Sequence, residues 1–124
     1  MKTHKDLIVW KKGIELVKVI YLITDDFPKS EQFGLVSQMR RCAVSIPSNI
    51  AEGCGRNSDK ELIQFLYIAL GSSSELETQI IISSELNFLD KEKENECLIQ
   101  LNEMIRMITS LIKSIKTRTE NNNK

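Results

Sequence analysis

The chain has 124 residues, of which 41% are hydrophobic and 27% charged, with 17 Lys+Arg against 17 Asp+Glu. That length suits one domain able to bury a core without staples, and a net charge of zero leaves no global field to attract nucleic acid or an anionic membrane. Three irregularly spaced cysteines, Cys42, Cys54 and Cys97, predict free thiols in a reducing cytoplasm, and no apolar run approaches the ~20 residues of a membrane span.

Only two prolines and five glycines occur, and apolar residues recur at spacings of three and four, so the chain is expected to be all-α. The first helix is predicted from about Asp6 to Asp25. Leu7, Trp10, Ile14, Val17 and Tyr21 form one seam, and Val9, Leu16, Ile20 and Ile23 a second. Phe27-Pro28 ends it, because a residue before proline is pushed out of the helical region. A short piece from Lys29 to Gly34 leads into a second helix that reaches about Gly53 despite Pro47 inside it. Gly53-Cys54-Gly55 is the stop signal.

Ser58-Asp59-Lys60-Glu61 matches a capping box, which opens a third helix running to about Leu86. After a turn from Asn87 to Asp90, a fourth helix is expected from about Lys91 to Lys116. Along it Cys97, Leu101, Met104, Ile108, Leu111 and Ile115 keep a 4-3 rhythm suited to shallow helix packing. The polar residues 117–124 are expected to fray, which leaves 1–116 as the folded domain. Long helices joined by short turns predict an antiparallel up-down four-helix bundle.

The second helix carries the candidate site. Gln38, Arg41, Ser45, Asn49 and Glu52 fall on one arc, and Leu35, Met39, Ala43, Ile46 and Ile50 on another. Pro47 removes a backbone hydrogen bond and crowds the preceding turn, a penalty of ~3 kcal/mol in a helix interior, so its surroundings must compensate. The third helix has a matching polar arc in Glu61, Gln64, Ser72, Glu75 and Gln79. The two arcs are expected to face each other, with Arg41 paired to Glu75 or Glu52 and with Ser45 and Asn49 bonded across the gap. Two readings stay open: these groups satisfy one another and fix register, or Arg41, Asn49, Glu52 and Glu75 line a polar site.

Other chemistries find little support. Di-metal bundle sites need Glu-x-x-His pairs, and the one histidine, His4, is near the terminus. No base stands beside Ser45 or Ser48 for nucleophilic catalysis, and Cys42 and Cys54 suit small buried hydrophobes. No cofactor, metal or catalytic residue is therefore expected. The loop from Gly53 to Ser58 opens onto a helix N-terminus beside Arg56, where an anion could rest. Lys11, Lys12, Lys18, Arg40, Arg41 and Arg56 extend that patch or form an ordinary solvated face.

Leu62, Ile63, Phe65, Leu66, Ile68, Leu70, Leu76, Ile80, Ile81 and Ile82 surround almost the whole third helix. A helix apolar on every side is buried on every side. Since a lone four-helix bundle leaves each helix one wet face, the excess on helices one and three predicts self-association.

Gly13-x-Glu15-Leu16-Val17, Tyr21 followed by Phe27-Pro28, Glu31-x-Phe33-Gly34-Leu35, Gln38-Met39-Arg40-Arg41, Ser45-Ile46-Pro47-Ser48-Asn49-Ile50-Ala51-Glu52-Gly53, Arg56 and Gly71-Ser72-x-x-Glu75-Leu76-Glu77-Thr78 together resemble a bacterial four-helix bundle protein family. Its members include proteins encoded by intervening sequences in large-subunit ribosomal RNA genes. The likeness runs from about Leu7 to Leu111. It implies an antiparallel four-helix protomer assembling as a homopentameric barrel. A related member, the accessory variability determinant of diversity-generating retroelements, is a basic pentamer that binds nucleic acid and a reverse transcriptase; this chain departs from it in having no net charge. The expected function is a non-enzymatic scaffold or adaptor, associated with itself and with RNA or an RNA-handling partner. The alternative is direct nucleic-acid binding through Lys11, Lys12, Arg40, Arg41 and Arg56, which would give steep salt dependence. An enzyme built on Glu52 and Glu75 is a third reading.

Overall fold

The computed structural model describes residues 3–122. It contains α1 (Ile8–Thr24), α2 (Leu35–Cys54), α3 (Asp59–Glu85) and α4 (Lys91–Asn122), with 3-10 turns at His4–Asp6 and Lys29–Glu31 and no strand among the described residues. Residues 1, 2, 123 and 124, parts of the predicted domain and tail, lie outside the described residues.

Local chemistry sets the boundaries. Helix α1 begins two residues later than predicted because Asp6 is engaged in a turn of its own. Its carboxylate accepts the Thr3 N–H at 2.9 Å while the Thr3 hydroxyl accepts from the Lys5 N–H at 3.2 Å, and Leu7 is extended. At the start of α3 the Ser58 hydroxyl accepts the Glu61 N–H at 3.2 Å. Only half of the predicted capping box forms, since the Glu61 carboxylate takes the Ser58 hydroxyl, also at 3.2 Å, in place of a backbone N–H. Asn87, at φ 63°, closes α3. The Phe88 N–H reaches the Ser83 carbonyl at 2.9 Å and the Asn87 N–H reaches that of Ser84 at 3.0 Å, the two bonds of a Schellman closure. Asp90 then caps α4 by accepting the Lys93 N–H at 2.8 Å.

Helix α2 ends at Cys54, inside the predicted Gly53-Cys54-Gly55 stop, with Gly55 as its C-cap in a right-handed conformation at φ −82°. One expectation changes. Helix α4 does not fray after Lys116; it stays helical to Asn122. Arg118 and Thr119 hold it there by reaching Asp59 in the first turn of α3, at 2.7 Å from Arg118 Nη2 to Oδ1 and 2.9 Å from Thr119 Oγ1 to Oδ2.

Helix α1 packs on α2 and α4, and α3 packs on the same two, so α1 and α3 occupy opposite corners. Cys42 meets Glu75 while Gly53 lies against Leu62, and Asp59 meets Arg118 while Ser84 meets Glu94, so α2 and α3, and α3 and α4, run antiparallel. Leu16, Ile20, Met39, Ile46, Ile50, Leu66, Leu76, Ile80, Leu101, Met104 and Ile108 fill the centre. The 4-3 rhythm of α4 is buried as predicted except at half-buried Leu111, beside which Ile112 is buried. Of the two α1 seams, the second supplies the buried large apolar side chains Val9, Leu16 and Ile20, while Tyr21 of the first is exposed.

Pro47 lies inside this core. Its ring covers Gly13 of α1, where a β-carbon would stand 3.2 Å from Pro47 Cβ. The missing side chain at Gly13 therefore lets the ring pack at a close helix crossing, which offsets part of the proline penalty.

Candidate functional site

The polar arcs of α2 and α3 do meet. Ser45 Oγ and Ser72 Oγ are 2.9 Å apart, and the Asn49 amide donates to the Ser45 hydroxyl at 2.9 Å and carbonyl at 2.8 Å. Asn49 thus bonds within its own helix, two positions past Pro47, and Ser45 makes the crossing. The Cys42 thiol lies 3.0 Å from the Ser72 carbonyl and 3.5 Å from a Glu75 carboxylate oxygen. Phe33, Ser37, Gln38 and Arg41 complete a groove of about 440 Å³ with these groups, Asn49 excepted.

Neither ion pair expected for Arg41 forms among the described residues. Arg41 and Glu52 are eleven positions apart on one helix, which separates them by about 16 Å along its axis. Glu52 instead pairs with Arg56 at 2.7 Å. Glu75 shares the groove with Arg41, but the hydrogen bond its carboxylate accepts comes from Cys42. Arg41 is exposed.

The basic side chains are spread out and mostly occupied. Arg40 is bound into the α1–α2 corner: its Nε donates to the Thr24 hydroxyl at 3.0 Å, Nη2 meets Asp25 at 3.0 Å, and the guanidinium lies 4.5 Å from the centre of the Tyr21 ring. Lys12 pairs with Glu103 of α4 at 3.4 Å. Arg56 stacks over Phe65 at 4.8 Å besides binding Glu52. Lys11 and Arg41 enter no ion pair among the described residues. The five do not converge on one patch: Arg40, with Arg41 next to it, sits beside the C-terminal end of α1, about 20 Å along the axis from Lys11, whereas Arg56, beyond the end of α2, lies toward the same end of the bundle as the start of α1.

Cys42 is buried in the core cluster, as a small packing residue should be, and it also reaches the groove, because it lies about 40° from Gln38 on the helical wheel, beside the polar arc. Burial, the negative charge of Glu75 and the hydrogen bond to it push the thiol up to about 12. A thiol held protonated is a hydrogen-bond donor and a poor nucleophile. Cys97 is pushed up to about 11 by burial and by Glu96, and burial raises Cys54 as well. Among the described residues no group of three His, Cys, Asp or Glu side chains is placed to hold a metal ion. His4 sits edge-on to Trp10 at 5.2 Å. Among the described residues no helix is long and apolar enough to cross a membrane. The groove offers hydroxyls, one carboxylate, one guanidinium and an exposed aromatic ring, a set suited to holding a neighbour in register.

A crystal structure of a protein of unknown function from the S23 ribosomal protein family, from Bacteroides thetaiotaomicron, has the same fold: the TM-score is 0.78 at 24% identity, with 86% of this chain and 99% of that one covered. No curated protein matches the chain. The model of the 23S rRNA-intervening sequence proteins matches residues 5–110. A match that spans nearly the whole bundle, from before α1 to well into α4, means that the chain belongs to the 23S rRNA-intervening sequence protein family.

Proposed function

We propose that the protein is a non-enzymatic helical scaffold or adaptor that acts as a homo-oligomer, a pentamer by its family resemblance, and presents its assembled surface to RNA or an RNA-handling partner. One observation carries the reading. The protomer leaves large apolar side chains in water on two opposite helices, Ile8 (65% exposed) and Leu22 (69%) on α1 and Ile68 (50%) and Ile82 (42%) on α3. Packing these against other copies removes that surface from water at about 25 cal/mol per Å². The high thiol pKa of Cys42 and the hydrogen bonds within the groove support a structural role for the α2–α3 polar contact.

The family's name ties its members to intervening sequences of 23S rRNA, which supports an RNA-linked setting for the assembly. Direct phosphate binding by the five predicted basic residues is the weaker reading, since Lys12, Arg40 and Arg56 are already engaged within the protomer. Sedimentation velocity at micromolar concentration tests assembly. A species of several times the 14.2 kDa protomer mass supports it, and a monomer overturns it. Filter binding of structured RNA at two salt concentrations tests the alternative: affinity that falls steeply with salt would favour direct phosphate contact.

A further inference from the structure

The exposed faces of α1 and α3 carry stripes of identical spacing and complementary content. On α1 the stripe is Ile8, Lys11, Glu15, Lys18 and Leu22; on α3 it is Ile68, Gly71, Glu75, Thr78 and Ile82. All ten are exposed, and both stripes step 3-4-3-4 along one side of a helix over about 21 Å. Each ends in an apolar residue. Between the ends α1 offers two lysines, where α3 has the small residues Gly71 and Thr78; a β-carbon on Gly71 would meet nothing within 4 Å. Lysine stems can lie over small residues and extend their ammonium groups to a nearby carboxylate. Lys11 is free of ion pairs among the described residues, and Lys18 holds only Glu15 of its own stripe, at 3.8 Å.

We infer that the α1 stripe of one copy seats on the α3 stripe of the next, so that assembly proceeds through unlike faces, head to tail. This rests on the self-assembly reading and specifies its contact. Paired this way, apolar ends cover apolar ends and two lysines serve the central Glu15 and Glu75. Pairing like with like would put α1 lysines against α1 lysines, or leave Glu75 facing its own copy without a cation on the stripe. Because α1 and α3 occupy opposite corners, each protomer has one donor and one acceptor face, the arrangement that closes into a ring or grows as a filament.

Two variants of the full chain, L22E on α1 and I82K on α3, test it by sedimentation velocity, alone and mixed, with helicity checked by circular dichroism. Each blocks one face and leaves the other intact. Each contact should weaken on the order of thirtyfold or more, so each variant alone loses the wild-type oligomer. An equimolar mixture recovers a species of twice the 14.2 kDa protomer mass, through the one remaining pair of intact unlike faces. A wild-type oligomer that survives either variant, or a mixture that stays monomeric, overturns the unlike-face contact while leaving assembly standing. A wild-type monomer overturns both. If either variant loses helicity, K18E and T78K take their places under the same criteria.

Discussion

Gly13 and Pro47 form a matched pair: the glycine on α1 leaves the space into which the α2 proline ring packs, and a β-carbon there would come within 3.2 Å of Pro47 Cβ. A single methyl asks the ring to shift by only a few tenths of an ångström, and alanine also gains helix propensity, so Gly13→Ala has opposing effects. Gly13→Leu does not. Its side chain has no room beside a buried ring in a filled core and must push the helices apart, costing roughly 1–3 kcal/mol. Thermal unfolding of Gly13→Leu should show a Tm several degrees below wild type; an unchanged Tm would mean that the α1–α2 crossing is not held at this point.

Gly53 is tighter still. A β-carbon there would lie 2.9 Å from both Leu62 Cδ1 and Phe65 Cβ and 3.3 Å from the Leu62 carbonyl. The Phe65 Cβ is fixed to the α3 backbone and cannot swing away, so Gly53→Ala must displace one helix from the other. The substitution is expected to lower stability by about 1–3 kcal/mol in urea or thermal unfolding, despite the better helix propensity of alanine. Equal or greater stability would contradict the close approach.

These two glycines mark where a single sequence stops being legible. The elements came from local periodicity and turn chemistry, and the facing of the two polar arcs followed because each arc lies on one helix with its own 3.6-residue repeat. Which turn meets which turn is not local information. The Gly13–Pro47 contact, the partner of Glu75 and the hold of Arg118 and Thr119 on Asp59 all depend on how far one helix slides along another. For that reason residues 117–122 read as a polar tail, although a partner 59 positions away keeps Arg118 in the helix. Arg41 shows the converse: it shares an arc with Glu52 in projection, while axial distance keeps them apart.

The thiols should differ sharply in reactivity. At about pH 8 a free cysteine is appreciably ionised, whereas Cys42, pushed up to about 12, and Cys97, pushed up to about 11, hold almost no thiolate. Iodoacetamide should modify native Cys42 and Cys97 at least about a hundredfold more slowly than an unfolded control, with half-buried Cys54 reacting first. Mass mapping of alkylated peptides against time checks this. Glu75→Gln removes the negative charge beside Cys42 and should speed its alkylation relative to that of Cys97; unchanged relative rates would leave Glu75 without influence on the thiol.

Asp59 gives the fold a sign-definite acid dependence. Hydrogen bonds from Arg118 and Thr119 to its ionised form hold its carboxyl below the usual range. A carboxylate with a depressed folded pKa binds fewer protons in the native than in the unfolded chain, so its contribution is fully present above the ordinary Asp value of about 3.9 and disappears as pH falls through the lower folded value. Asp59→Asn should therefore unfold at a lower temperature than wild type near neutral pH, and the gap should close on acidification through that window. Because the link joins the first turn of α3 to the last turns of α4, the loss should be local first, seen as faster amide hydrogen exchange over residues 117–122 before global unfolding. A Tm difference independent of pH, or protection at 117–122 that Asp59→Asn leaves untouched, would show that the end of α4 is held by something other than this carboxylate.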